Sequence, residues 1–219
     1  MTAKRKPIKV IVFDLGGVVV HGSYLEFINH YCKECLTSAG MEKILALERD
    51  VNLGNLSESE FYRALRNVFG IHLTPKEMHK IIVKKSRKDK RLLKLIKRLG
   101  KKRVAMFTNS IGDMALEVMR VQKIPFRKLF RRVFLSTRMH KVKPDIRAYR
   151  EILGQLKVKP QEAVMVDDRE VNIAGAKKIG MNAILYKNSS QFRRNLKKFD
   201  ILGLGPGIQK TVIPTGDLP

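Results

Sequence analysis

Residues 8–18 read Ile8-Lys9-Val10-Ile11-Val12-Phe13-Asp14-Leu15-Gly16-Gly17-Val18. An unbroken apolar run, Val10–Phe13, meets a carboxylate at Asp14 and then two glycines. Strands covered on both faces by helices read as continuous apolar runs rather than alternating ones. A carboxylate at the end of such a strand leaves water, which is unfavourable unless a cation compensates. The stretch therefore predicts a central parallel strand whose end carries a charged site.

Similar runs recur at Arg103–Phe107, Arg132–Leu135, Ala163–Val166 and Asn182–Tyr186. Helical patterns lie between the later ones, at Gly112–Val121, Asp145–Leu156 and Val171–Ile179. This alternation predicts an α/β fold with a Rossmann-like, doubly wound parallel sheet and right-handed crossovers. Residues 22–90 break the rhythm and read as helices only, over Tyr24–Ala39, Met41–Arg49, Ser57–Phe69 and Thr74–Lys85. Ser57 with Glu60, and Thr74-Pro75 with Glu77, are helix-start signatures. The expected division is a core at 1–21 and 91–201, a helical cap at 22–90 inserted after the first strand, and a Gly/Pro-rich tail at 202–219. Such a cap sits over the C-terminal edge of the sheet, where open α/β folds bind ligands.

Composition narrows the class. The 219 residues are 44% hydrophobic, enough for one core plus a small insertion. No apolar run approaches the roughly 20 residues of a membrane span. The N-terminus MTAKRKPIKV is basic and lacks a secretory h-region, so a cytoplasmic protein without a membrane partner is expected. Cys32 and Cys35 give no disulfide framework. With His30 nearby they suggest zinc or redox chemistry, but no second pair accompanies them, and packing within the insertion is the preferred reading.

The net charge of +25 has two readings, an anionic partner such as nucleic acid or a solvated basic surface. The basic residues are densest in Lys84–Arg103, where Leu92, Leu95, Ile96 and Leu99 recur at helical spacing. That spacing favours an amphipathic helix with a solvated basic face.

Four segments at strand ends carry the chemistry: Phe13-Asp14-Leu15-Gly16-Gly17-Val18, Phe107-Thr108-Asn109-Ser110, Lys141-Val142-Lys143-Pro144-Asp145 and Val166-Asp167-Asp168-Arg169-Glu170-Val171-Asn172. Asp14, Asp167 and Asp168 should converge, and a divalent cation with oxygen ligands relieves their repulsion. Lys143 adds a fixed positive charge, and Thr108 with its neighbouring N–H groups offers donors to an oxyanion. Together these describe a site for a phosphoryl group.

In order and in strand context, the four segments resemble the haloacid dehalogenase-like hydrolases with a helical cap. The closest texture is that of glucose 1-phosphate phosphatases and of the phosphatase domain of soluble epoxide hydrolases. The resemblance implies a Mg²⁺-dependent phosphatase acting on a small phosphorylated metabolite. It makes Asp14 the nucleophile and Asp14, the Gly16 carbonyl, Asp168 and Asp167 the metal site. It assigns Thr108, Asn109 and Lys143 to the phosphate, makes Thr108 and Lys143 catalytic with Asp14, and gives Asn172 the ordering of the fourth loop. A haloacid dehalogenase, or a non-catalytic basic binding protein on the same fold, are the alternatives. The former does not need the metal carboxylates. Retention of Asp14, Thr108, Lys143 and Asp168 together argues against the latter.

One position departs from the family pattern. Most of its phosphatases carry a second Asp where this chain has Gly16, and that Asp protonates the leaving oxygen. A positioned acid contributes about 10²–10⁴ in rate, against a total of up to roughly 10²¹ for phosphate monoester hydrolysis. The chain can thus be an enzyme without it. On sequence alone Gly16 predicts a preference for leaving groups that depart unprotonated, with His21 or water as the remaining sources of a proton. Tyr24 and Phe27 read as cap core, and His140 as a residue near the site rim.

Overall fold

Each residue of the first strand, β1 (Val10–Phe13), is at most 1% exposed. In the computed structural model, which describes residues 7–22, 24–32 and 36–199, this strand lies third in a five-stranded sheet. The chain continues through β2 (Val20–His21), α1 (Tyr24–Tyr31), α2 (Ser38–Leu53), α3 (Glu58–Phe69), α4 (Pro75–Lys85) and β3 (Arg87–Lys88). It then forms α5 (Lys90–Leu99), β4 (Val104–Thr108), α6 (Met114–Val121), α7 (Phe126–Leu129), β5 (Val133–Leu135) and α8 (Ser136–Met139). The last elements are α9 (Ile146–Leu156), β6 (Ala163–Asp167), α10 (Glu170–Lys178), β7 (Asn182–Leu185) and α11 (Ser189–Lys197).

The sheet order is β5-β4-β1-β6-β7 and every pairing is parallel. Alternate residues of β1 face opposite ways, as the pleat requires. Val10 and Val12 pack with Tyr149, Ile152 and Leu156 of α9 and Ala176 of α10. Ile11 and Phe13 share the other cluster with Leu92 and Ile96 of α5, Met119 of α6 and Phe192 of α11. The register places Phe13 opposite both Met106 and Val166, so Asp14, Thr108 and Asp167 emerge at one sheet edge.

Helices α1–α4 fill the interval that breaks the strand–helix rhythm. Phe27, Ile44, Phe61, Leu65 and Ile82 belong to the same apolar cluster as Ile11 and Phe13 of β1, so the insertion shares a continuous core with one side of the sheet. Ser57–Glu60 and Thr74–Glu77 form reciprocal capping boxes, as their spacing predicts. The first two helices differ from expectation. α1 ends at Tyr31, and α2 starts at Ser38 because the Thr37 side chain accepts from Gly40 N and caps a new helix. The basic stretch also divides. α4 ends at Lys85, β3 pairs antiparallel with β2, and Asp89 caps α5 through Leu92 N. Neither this two-stranded ribbon nor α11 was foreseen; β2 and β3 are two residues each, too short to leave a periodic signal. Cys32 is buried beyond α1, while Cys35 and the 202–219 tail lie outside the described residues.

No described helix is long and apolar enough to cross a membrane. Helix α5 has the expected amphipathic build, with Leu92, Ile96 and Leu99 buried and Lys90, Arg91, Lys94, Lys97 and Arg98 exposed. Ile96→Ala should therefore cost about 2–5 kcal/mol, as large-to-small core substitutions do. Lys97→Gln should stay within about 0.5 kcal/mol of the parent. Urea unfolding of both variants checks this, and comparable losses in the two would contradict a solvated basic face.

Candidate active site

Lys143 organises the sheet edge. Its ammonium is buried, 3.0 Å from Asp14 Oδ1 and 2.5 Å from Asp167 Oδ2. Burial pushes the Lys143 ammonium down, but the two carboxylates outweigh it and hold the group above the ordinary lysine value. Asp167 is fully enclosed. Its Oδ2 accepts from Lys143, and its Oδ1 accepts from Arg169 N at 2.9 Å and Asn172 Nδ2 at 3.0 Å. Asn172 in turn receives the Tyr149 hydroxyl on its carbonyl at 2.7 Å. Asn172 thus ties the start of α10 to Asp167 at the end of β6. Tyr149, which lies in a helix with no motif around it, was not anticipated.

Asp14 is less well served. Its backbone N donates to Val166 O at 2.9 Å, which fixes the strand end. Its buried Oδ1 has the Lys143 ion pair but no donor in hydrogen-bonding geometry. Burial is the largest influence on this carboxyl and pushes it up to about 7; Lys143 opposes, while Asp167 and Asp168 add to the rise. Asp168 is also raised, by burial and then by Asp167.

Asp14, Asp167 and Asp168 each bring a carboxylate oxygen to within 4.8 Å of the others. Gly17 makes this possible. It has φ +72°, and a Cβ there would fall 2.0 Å from Asp168 Oδ2. Only glycine leaves that space for the carboxylate. An under-satisfied buried carboxylate beside a second one with room to approach fits a hard divalent cation held by oxygens. Asp167 contributes charge to this group while both of its oxygens serve Lys143 and the loop.

The second and third motifs interlock. Asn109 Oδ1 accepts from Lys143 N at 2.9 Å, and Asn109 Nδ2 donates to Lys143 O at 3.0 Å. The side chain expected to meet phosphate is thus a clamp on the lysine's main chain. The Thr108 hydroxyl is buried and donates to Asn109 O at 3.0 Å; rotation of its O–H alone would redirect it. Thr108, Asn109, Lys143, Asp14, Gly16 and Asp168 all line one cavity of about 230 Å³. The insertion contributes part of the lining, Tyr24 of α1, Glu48 and Asn52 of α2, Ile82 of α4 and Ser86. Tyr24 is core, as expected, and also part of this lining. Arg169 and Glu48, which no motif flagged, border the cavity too. His140 is not among the lining residues; its Nδ1 donates to Leu53 O at 2.9 Å.

The sequence profile of the haloacid dehalogenase-like hydrolases matches residues 8–180. The chain belongs to this family. Flavin mononucleotide hydrolase 1 of Arabidopsis thaliana, a chloroplastic protein, is 34% identical over 68 residues, covering 31% of this chain. The chain spans only 28% of that relative's length. A haloacid dehalogenase family enzyme from Bacteroides thetaiotaomicron superposes with a TM-score of 0.73 at 19% identity, covering 87% of this chain and 99% of that one. The same enzyme, solved with magnesium and inorganic phosphate, gives 0.66 at 21% identity over 82% and 94%. L-2-haloacid dehalogenase from Xanthobacter autotrophicus gives 0.59 at 18% identity over 86% and 82%. The structural likenesses establish the α/β fold, and the profile match establishes the hydrolase family.

The raised Asp14 carboxyl has a consequence for stability. Between its ordinary value of 3.8 and about 7, the unfolded chain has lost a proton that the folded chain keeps. Folded stability from this group therefore falls as pH rises through that window and is regained in acid. Asp14→Asn removes the titration. In metal-free buffer at pH 7.5 the variant should be more stable than the parent by on the order of 1–3 kcal/mol, a rise of several degrees in Tm. The difference should shrink toward pH 4. Thermal unfolding across pH checks it, and an equal or lower Tm for the variant at pH 7.5 would refute it.

Proposed function

We propose that this hydrolase is a Mg²⁺-dependent phosphatase that transfers the phosphoryl group of a small monoester to Asp14 and then to water. The observation that carries the reading is the convergence of Asp14, Lys143 and Asp168 on one cavity, with Gly17 bare beneath Asp168. In this reading Asp14 attacks phosphorus, and the P–O bond to the leaving alcohol breaks. Lys143 holds the Asp14 carboxylate in place and offers a second positive neighbour to the phosphoryl oxygens. Thr108 donates its hydroxyl to one of those oxygens after rotating off Asn109 O. Asn109 and Asp167 position Lys143 rather than touching substrate. Asp14, Asp168 and the Gly16 carbonyl would hold the Mg²⁺, which supplies charge neutralisation to the phosphoryl group.

Two comparisons support the choice of reaction. One relative is named a flavin mononucleotide hydrolase, and a fold neighbour binds magnesium with phosphate. The dehalogenase reading shares the nucleophile and the fold. It leaves Asp168 and its glycine-made space without a task. The cavity wall bears on the substrate. Tyr24, Ile82, Ile111, Met114 and Val118 present an apolar side beside the phosphate end. That wall suits an alcohol with an apolar part better than a sugar.

A panel of phosphate monoesters, assayed with Mg²⁺ and with EDTA, tests the reading. Turnover should require Mg²⁺ and favour esters of apolar alcohols over sugar phosphates. Asp14→Asn should lose turnover. Asp168→Ala should lower both activity and Mg²⁺ affinity, the latter read by calorimetry. Halide release from 2-haloacids without Mg²⁺, with no phosphate turnover, would overturn the assignment.

A further inference from the structure

The cavity raises a question that the motifs leave open, namely which group protonates the departing alcohol when Gly16 has no side chain. In-line displacement puts the leaving oxygen on the side of phosphorus opposite the nucleophile. The insertion, which is separate in the chain from the strand ends, supplies part of the lining of the cavity that holds Asp14. Among the described residues lining this cavity, the carboxylates are Asp14, Asp168 and Glu48. The first two belong to the acidic group at the sheet edge. Glu48 is the one among them that comes from the insertion, on α2, and it also borders the adjoining cavity of about 420 Å³. His21, the other candidate from the sequence, is turned away: it pairs with Arg87 in the β2–β3 ribbon, and its Nε2 lies 3.8 Å from Asp89 Oδ2.

We propose that Glu48, carried by the helical insertion, is the catalytic acid and base of this active site and replaces the carboxylate missing at Gly16. The inference rests on the phosphatase reading. As Asp14 bonds to phosphorus, the electron pair of the breaking P–O bond goes to the alcohol oxygen, which takes the proton of the Glu48 carboxyl. The resulting carboxylate then accepts a proton from water. That water attacks the phosphorus of the Asp14 phosphoester, the Asp14–phosphorus bond breaks, and inorganic phosphate leaves with Glu48 protonated again. Every proton is returned and no other reactant is needed.

The surroundings suit this work. Burial pushes the Glu48 carboxyl up, and Arg169, the cation facing it, pulls the other way. A carboxyl raised by its environment donates near neutral pH while its conjugate base still accepts. Tyr24 stands beside it on α1, with a buried hydroxyl that has no hydrogen-bond partner. Burial and the nearby Glu48 hold that hydroxyl protonated, so it is a donor waiting for an acceptor on the alcohol. Gly16 itself has open space, since a Cβ there would meet no atom within 4 Å. The missing acid can therefore be restored by substitution.

The test is kcat/KM for phosphate monoesters whose alcohols run from alkyl to p-nitrophenyl, with Mg²⁺. Wild type should depend only weakly on leaving-group pKa. Glu48→Gln should lose roughly 100-fold or more on alkyl esters and less than about tenfold on p-nitrophenyl phosphate, which needs no acid. The same variant should release a burst of p-nitrophenolate equal to the enzyme present and accumulate phospho-Asp14, because the water step lacks its base. Adding Gly16→Asp to Glu48→Gln should recover part of the alkyl rate. A steep dependence in wild type, or an equal loss on all esters in Glu48→Gln, would overturn the role of Glu48. Wild type with Mg²⁺ that hydrolyses none of the esters would instead overturn the phosphatase reading, and this proposal with it. The wild-type slope needs no variant to fold, and the Tm of Glu48→Gln shows whether its losses are local.

Discussion

The Lys143 ammonium, enclosed between Asp14 and Asp167, is the interaction on which the rest of the active site depends. Removing Lys143 would leave two buried carboxylates facing each other with no counter-ion, a loss of about 3–5 kcal/mol. Such a cation cannot drift, and its neighbours are arranged to hold it. Asn109 grips its main chain from the end of β4 through two hydrogen bonds. Asn172 fixes Asp167 from α10, and Tyr149 fixes Asn172 from α9. The order runs from a helix on one side of the sheet to the nucleophile at its edge. Asp14 is the one member left under-satisfied. An unsatisfied acceptor kept at one reactive group, in a network whose other members are satisfied, is what a pre-organised site requires.

The part of the cavity lining that the insertion supplies depends on a different set of contacts, those joining the insertion to the core. Gly22 allows the chain to leave β2 at φ +81°, with Lys85 O only 2.6 Å from where a Cβ would stand. Asp89 closes the return. It caps α5, receives the Tyr186 hydroxyl at 2.9 Å, and donates its backbone N to Val19 O at 2.9 Å. At the far side His79 of α4 lies between Glu58 of α3 and Glu117 of α6, 2.9 Å from the latter. The α2 helix that carries Glu48 is also held at its C-terminal end, where His140, just beyond α8, meets Leu53 O.

The contrast explains what could be read from the residues. The sheet was legible because a strand buried on both faces must be continuously apolar, and Val10–Phe13 is. The acidic group and Lys143 were legible because desolvated charges at strand ends need one another. The task of Asn109 was not legible, since its type fits a phosphate donor as well as a main-chain clamp, and only the distance to Lys143 decides. Glu48 was hidden for a different reason. It sits one helix turn among others on α2, with Lys43 and Arg49 nearby in sequence, and looks like any solvated helical glutamate. Its meaning comes from where α2 lands. The split of the basic stretch into α4, β3 and α5 was missed because a two-residue strand carries no period.

Charge bookkeeping at the cavity adds a constraint on the order of events under the proposed reading. Asp14, Asp167 and Asp168 carry −3 when ionised, and Lys143 with Arg169 supplies +2, leaving −1 at the place where a phosphate must dock. A phosphate dianion is repelled by that balance at close range, where screening by salt is weak. A divalent cation held by the same carboxylates turns −1 into +1. The +25 of the whole chain does not substitute for it. Charges on the exposed face of α5 are screened over a Debye length of about 8 Å at physiological salt, so they raise the local concentration of anions without changing the sign of the field inside. The basic surface and the acidic site therefore do different jobs. The first favours the approach of an anion, and the second admits it only once its own negative charge has been met by metal.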